Sequence, residues 1–276
     1  MAHRSWDRFG DNDRVPRLDV LLADRGLAES RARAQALIMA GHVSVSGRVV
    51  TKAGTAVADD AELAVAELPQ YVSRGGDKLA TALEQFAIDP SGRRCLDVGA
   101  STGGFTDCLL QHGAASVIAV DVGRAQLHQR IALDQRVASF EGVNARYLAP
   151  NDLPGPPADL AVFDVSFISL ELVLAPARAC LSDPSELLPM VKPQFEAGRD
   201  QVARGVVRDA TVQIEAVLRI ADHAASLGLV ALGCCDTGHP GPSGNREFFL
   251  HLVSRDHVRA SAKVAGVREV IERAVA

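Results

Sequence analysis

The segment RCLDV (94–98) reads as a short strand, GASTGG follows it, and FTDCLLQHG then has the apolar spacing of a helix. Strand, glycine-rich turn and helix in that order build a nucleotide-binding turn, because glycines let the backbone bend sharply and come close to a ligand at the helix start. No Gly-Lys-Ser/Thr follows the glycines, so a phosphate-cradling loop is not expected. Roughly 20 residues on, VIAVD ends in Asp121, where a carboxylate can accept both hydroxyls of an adenosine ribose. A third strand-like run, Leu160–Asp164, leads into DVSFISL. A pyrophosphate needs amide donors and no carboxylate nearby, whereas S-adenosylmethionine has no phosphate and carries a sulfonium and an ammonium. Asp97, just before the glycines, and Asp164, at the end of the later strand, therefore suit S-adenosylmethionine. The candidate cofactor residues are Asp97, Gly99, Ala100, Ser101, Thr102, Gly103, Gly104, Phe105, Asp121, Asn144 and Asp164. Gly99 and Gly103 are expected to let the backbone approach the cofactor where a Cβ would clash.

These residues need a scaffold that brings distant segments to one edge. Helix-like and strand-like segments alternate through most of the 276 residues, which implies an α/β fold. Leu229–Cys235 and Glu247–Val253 read as an antiparallel pair joined by GHPGPSGN (238–245). A Rossmann-like sheet of seven mostly parallel strands is expected over about 74–255, with its last strand reversed. At 47% hydrophobic, the chain can bury a sizeable core. No apolar run approaches the ~18 residues of a membrane span. The start MAHRSWDRFGDNDR has no apolar signal core, so a cytoplasmic protein without membrane contact is expected. The five cysteines make no CxxC pair and no Cys/His cluster with zinc spacing, so buried reduced thiols and no metal are expected.

The net charge of −5 does not advertise a nucleic-acid binder, but its distribution is uneven: residues 14–52 carry +4 and the remainder −9. A basic stripe on an acidic protein suits a local phosphate contact, although a solvated helix face would look the same by charge alone. Val15, Leu18, Leu21 and Leu22 form a helical stripe ended by Gly26. Ser30 caps a second helix through about Ala40, with Ala34, Leu37 and Ile38 inward and Arg31 and Arg33 outward. Val43 and Val45, then Ser46-Gly47, then Val49 and Val50 read as a tight hairpin, to which Leu63 and Val65 add a third strand. The string RLDVLLADRGLAESRARAQALIMAGHVSVSGRVVTKAG resembles the RNA-binding module named after a small-subunit ribosomal protein and shared with many pseudouridine synthases. That resemblance implies that Arg17, Arg31 and the hairpin around Ser46–Lys52 face RNA. The candidate RNA-binding residues are Arg14, Arg17, Arg31, Arg33, Arg48, Lys52 and Arg74.

LDVGASTGGFTDCLL, VIAVDVGRAQL, DLAVFDVSFISL, LPMVKPQFE and HPGPSGNREFFLHL follow in that order. Together with the N-terminal module they resemble the TlyA family of rRNA methyltransferases, older name haemolysin A, whose catalytic domain is similar to the FtsJ/RrmJ ribose methyltransferases. The resemblance covers about residues 14–255. It implies 2′-O-methylation of ribose, expected at cytidine in ribosomal RNA of the small subunit, the large subunit or both, by a monomer. It also implies a Lys-Asp-Lys-Glu tetrad, which by motif is Lys78, Asp164, Lys192 and Glu247. In an open α/β sheet the ligand lies beyond the carboxyl ends of the strands, so four residues this far apart in sequence can converge. A ribose hydroxyl holds its proton at neutral pH, so the enzyme must align it and weaken that hold. Lys192 takes the central part, either as the base or by steering the oxygen. Asp164 and Glu247 orient the two ammonium groups.

The loops 196–209 and 238–245 look like substrate gates, and ordinary surface-loop chemistry explains their composition equally well. The expected organisation is an RNA-binding domain (14–66), a linker (67–73), a methyltransferase domain (74–255) and one terminal helix (256–276) that packs Val264, Val267, Val270 and Ile271. Two other classes deserve comparison. A non-catalytic ribosome assembly factor would not need both the glycine loop and the tetrad. A membrane-active haemolysin would need an apolar span, a large amphipathic helix or a barrel repeat.

Overall fold

A computed structural model describes residues 15–66, 69–261 and 266–276. The chain forms two compact units that meet in sequence at Leu68 and Pro69.

In the first unit, α1 (Leu18–Asp24) and α2 (Arg31–Met39) cover a small sheet of β1 (Val43–Val45), β2 (Arg48–Val49) and β3 (Leu63–Val65) in the order β2-β1-β3. The Ser30 hydroxyl accepts from the Arg33 amide and so caps α2. Ser46 (φ 47°) and Gly47 (φ 76°) both take the left-handed conformation that a two-residue hairpin between twisted strands requires. Leu18, Leu21, Leu22, Ala34, Leu37, Ile38, Val43 and Val57 form the core. Val15 is not part of it. α1 starts only at Leu18, so Val15 precedes the helical register and is exposed.

The second unit is built on a seven-stranded sheet of β4 (Arg94–Val98), β5 (Ser116–Asp121), β6 (Val137–Glu141), β7 (Ala158–Phe163), β8 (Leu181–Val191), β9 (Leu229–Asp236) and β10 (Phe248–Ser254). Its order is β6-β5-β4-β7-β8-β10-β9, and β10 runs antiparallel to both neighbours. Successive residues of the central strands enter opposite cores, as expected for a sheet covered on both faces. Cys95, Leu160 and Val162 face α3 (Arg74–Gln85) and α4 (Gly104–Gln111). Leu96, Val98, Ala161 and Phe163 face the side of α6 (Leu174–Ala179), α8 (Ala210–Ser226) and α9 (Val267–Val275). Tyr71, only 3% exposed, is already part of the first of these cores.

The C-terminal tail departs from a single helix. A short 3-10 turn (Val258–Ser261) and α9 are separate elements, and Gly266 caps the latter. Ile271 and Val275 carry the buried face, while Val264 lies outside the described residues. Among the described residues, no helix is long and apolar enough to cross a membrane.

Candidate active site

The glycine loop opens from the carboxyl end of β4, between β5 and β7, where a parallel sheet leaves a crevice. Gly99 (φ 89°), Ser101 (φ 47°) and Gly103 (φ 90°) carry the chain through the turn into α4. Asp121 closes the loop from β5: its carboxylate accepts from the Ser101 amide (2.8 Å) and the Gly123 amide (2.6 Å). Each oxygen keeps a second lone pair, and the side chain stays half-buried on the wall of a cavity of about 520 Å³. Asn144, Asp164 and Ser166 supply further acceptors to that wall, and Val122, Val143, Ile168 and Val173 give it an apolar side. Among the described residues its lining contains no Lys or Arg, and this acceptor-rich wall fits a phosphate-free nucleoside better than a pyrophosphate.

The two glycines act differently from the expectation. A Cβ on Gly103 would meet Leu127 at 3.0 Å and Ile131 at 3.1 Å, and one on Gly99 would lie 2.5 Å from the Asp164 carbonyl oxygen. Both absent side chains point into protein, because the loop folds back over the sheet and its inner surface is packed. Gly104 likewise admits Ser73, whose hydroxyl would lie 2.2 Å from an added Cβ. Asp97 is also displaced from the cavity walls: it is fully buried behind the loop, with one oxygen bonded to the Thr106 hydroxyl (2.6 Å) and the other unpartnered. Burial raises its pKa to about 7. Gly99→Ala is expected to move the Asp164 backbone and strain a positive-φ turn, a cost of about 1–3 kcal/mol from the strain alone. Cofactor affinity by calorimetry and the melting temperature should therefore fall together. Wild-type affinity in this variant would show that the turn is not held by that contact.

A second cavity shares Gly99, Ser101, Asp164 and Ser166 with the first and extends toward Ala100, Thr102, Gly104 and Phe105. All four tetrad candidates line it. Lys78 comes from α3, Asp164 directly follows β7, and Lys192 directly follows β8. Phe248 pairs with Val191, so the reversed β10 presents Glu247 beside Lys192 at the same edge. The residues form two ion pairs. Lys78 Nζ lies 2.6 Å from Glu247 Oε2, and Lys192 Nζ lies 2.5 Å from Asp164 Oδ1 while donating to Ser166 Oγ at 2.8 Å. The Lys78–Glu247 pair is buried, whereas the Asp164 side chain keeps 26% of its exposure. A lysine fixed in this way at a cavity wall can orient a hydroxyl oxygen as an ammonium donor, or take the hydroxyl proton as a neutral amine, when that hydroxyl lies between it and a reactive cofactor.

Several supporting residues carry no signal in the sequence pattern. Glu196 is buried and accepts from the Ser169 hydroxyl and the Leu170 amide, which pins the DVSFISL loop to the segment after Lys192. On that loop Phe167 has φ 63°, is 90% exposed and packs its ring 5.0 Å from Phe195. Asn245, 3% exposed, joins the two gate candidates: it accepts from the Val207 amide and donates to the Gly205 carbonyl, both at 2.9 Å. Gly241 has no room for a Cβ, which would lie 2.6 Å from Glu247 Oε1. These roles depend on long-range neighbours that spacing does not reveal.

The RNA candidates divide between the units. Arg33, Arg48 and Lys52 are exposed on the first unit. Arg17 and Arg31 are half-exposed and both bind the buried carboxylate of Asp19, so they are organised cations and not a freely solvated stripe. Ser30 already occupies the Arg33 amide, one of the donors a phosphate at that helix start would use. Arg74 opens α3 and is exposed on the tetrad cavity. Arg14 lies outside the described residues.

Comparison with known proteins agrees with this division. An FtsJ-like methyltransferase family model matches residues 71–254, and an S4 domain model matches residues 16–63. The chain is 46% identical over 265 residues to the 16S/23S rRNA (cytidine-2′-O)-methyltransferase TlyA of Mycobacterium tuberculosis, covering 95% of this chain and 98% of that one. It is 36% identical to Hemolysin A of Brachyspira hyodysenteriae, covering 86% and 99%. A solved chain from Streptococcus thermophilus that carries a hemolysin name superposes with a TM-score of 0.71 at 38% identity, covering 94% of each. With an S4 domain ahead of a seven-stranded S-adenosylmethionine-dependent methyltransferase fold, the chain belongs to the TlyA family of FtsJ-like methyltransferases.

Proposed function

We propose that this chain methylates the 2′-hydroxyl of cytidine ribose in ribosomal RNA of both subunits, in the cytoplasm. The observation that carries the reading is the convergence of Lys78, Asp164, Lys192 and Glu247 on one cavity wall that adjoins a phosphate-free nucleoside cavity. The M. tuberculosis relative's name supports cytidine and both subunits. When bound, S-adenosylmethionine supplies an electrophilic methyl group on a sulfonium. The chain's residues supply the rest. Asp121 and Asn144 hold the nucleoside end. Lys192, braced by Asp164 and Ser166, aligns the target hydroxyl and, in its neutral amine form, takes its proton as the oxygen attacks. Lys78 and Glu247, paired at 2.6 Å, keep the same wall near neutrality. Phe167 offers an exposed aromatic face on which a nucleobase of the substrate stacks. Arg17, Arg31, Arg33, Arg48 and Lys52 contact the RNA backbone, and Arg74 guides RNA at the cavity mouth.

The test is transfer of labelled methyl groups to isolated 30S and 50S subunits, followed by mapping of the modified nucleotide. Label is expected on cytidine ribose in each subunit, and Lys192→Ala should slow its appearance by about 10²–10⁴-fold. Label found on a base, or no label on either subunit from a chain that binds the cofactor, would remove the assignment.

A further inference from the structure

Asp19 is the one acid of the α1–α2 stripe that is completely buried. It is anchored by its own backbone, since the Leu18 and Asp19 amides donate to the Thr55 and Ala53 carbonyls at 2.8 and 3.1 Å. Its carboxylate gathers three side chains. Arg17 binds it in a fork, Nε to Oδ1 at 3.0 Å and Nη2 to Oδ2 at 3.2 Å. Arg31 Nε reaches Oδ2 at 2.9 Å, and Gln35 Nε2 reaches the same atom at 2.6 Å. The two guanidinium groups therefore share one acceptor atom and lie side by side. They remain 51% and 54% exposed while the acid between them is covered. Arg31 donates inward through Nε alone, and its two terminal nitrogens make no hydrogen bond among the described residues. Gly54 lets the Arg17 guanidinium lie against the 53–54 turn, where an added Cβ would sit 3.2 Å from its carbon and both terminal nitrogens.

We propose that Asp19 is a positioning residue for RNA binding, which sets Arg17 and Arg31 as a paired guanidinium clamp for one backbone phosphate. The inference rests on the reading of the chain as a ribosomal-RNA enzyme. A free arginine loses side-chain entropy when it binds a phosphate, and a buried carboxylate that already fixes the Nε edge removes part of that loss. The charges have a sensible geometry, with the anion shielded behind and the outer N–H groups of two cations in front. A fork of N–H donors suits phosphate oxygens, and two such forks side by side suit one phosphodiester better than two distant ones.

The clamp and a merely basic surface predict opposite signs. If Arg17 and Arg31 act only by charge, deleting an acid raises RNA affinity. If Asp19 aims them, deleting that acid lowers it. The full chain would be titrated with labelled 16S and 23S rRNA transcripts in filter binding between about 50 and 200 mM salt. Asp19→Asn is expected to bind about tenfold more weakly, with a shallower salt dependence, despite its added positive charge. Asp24→Asn, which removes an exposed acid of the same helix, should bind as tightly as wild type or tighter. Gly54→Val crowds the Arg17 guanidinium without altering charge or Asp19, and it should weaken binding in the same way. Cofactor affinity should be unchanged in all three. Wild-type or tighter RNA binding by Asp19→Asn would overturn the clamp while leaving the RNA reading intact. If Asp19→Asn melts out, Gly54→Val decides: weaker binding supports the clamp and unchanged binding overturns it. A wild-type chain that retains neither transcript would overturn the RNA reading itself, and the clamp with it.

Discussion

Lys192→Ala should slow single-turnover methyl transfer by about 10²–10⁴-fold, the contribution typical of a positioned proton-transfer group. Lys192 lines the second cavity and is held by Asp164 at 2.5 Å and Ser166 at 2.8 Å, two residues that line both cavities. Removing its amino group deprives the hydroxyl of the group that aligns it and that, as a neutral amine, accepts its proton. Cofactor and RNA affinities should stay within several-fold of wild type, because nucleoside contacts and phosphate contacts lie elsewhere. The fold should also survive, since water reaches the Asp164 carboxylate that loses its partner. Lys192→Arg should not restore the rate, because a guanidinium stays protonated and is larger and planar. The corresponding test at Lys78 is less clean. Its loss strands Glu247, 3% exposed at the side chain, and breaking a buried pair costs about 3–5 kcal/mol. A Lys192→Ala chain with a near-normal single-turnover rate would remove it from the chemistry. A defect confined to RNA affinity would make it a phosphate contact.

Asp97→Asn is expected to stabilise the methyltransferase unit, by an amount that depends on pH. The Asp97 carboxylate is fully buried with one unpartnered oxygen, and burial raises its pKa from 3.8 to about 7. Between those values the folded chain keeps a proton that the unfolded chain has released. Stability therefore falls as pH rises, by about 1.4 kcal/mol per unit, and the fall ends once the folded chain also loses the proton near pH 7. Asparagine mimics the protonated acid and does not titrate. Its advantage in urea unfolding should grow by roughly 2–3 kcal/mol between pH 5 and 8 and then level off. Other titrating groups act in both proteins and cancel in the difference; one is His257, whose pKa is lowered chiefly by burial. Parallel pH profiles for variant and wild type would show that Asp97 stays ionised in its buried place.

Much of this protein is legible in the sequence because it is local. The central strands RCLDV, VIAVD and LAVFD are near-continuous apolar runs, as strands covered on both faces must be. Ser30 announces α2, and Ser46-Gly47 announces the hairpin, because caps and tight turns depend on two or three adjacent residues. The ordered motifs point to the tetrad, but by resemblance, since nothing in their spacing brings residue 78 to residue 247.

Tertiary structure decided what depends on distant neighbours. The reversed β10 and its pairing with β8 place Glu247 beside Lys192 and set which lysine meets which acid. The same sequence signal, a glycine in a turn, reads as an approach to ligand; only the packing of Leu127, Ile131 and the Asp164 backbone shows that Gly99 and Gly103 make room for protein. Asp97 reads in the sequence as a cofactor acid and Asp19 as an ordinary one, yet the first is buried with an oxygen unpartnered and the second is buried beneath two arginines. Composition and period record which residues avoid water, but the surroundings of a buried charge are supplied by segments far along the chain and exist only once it has folded.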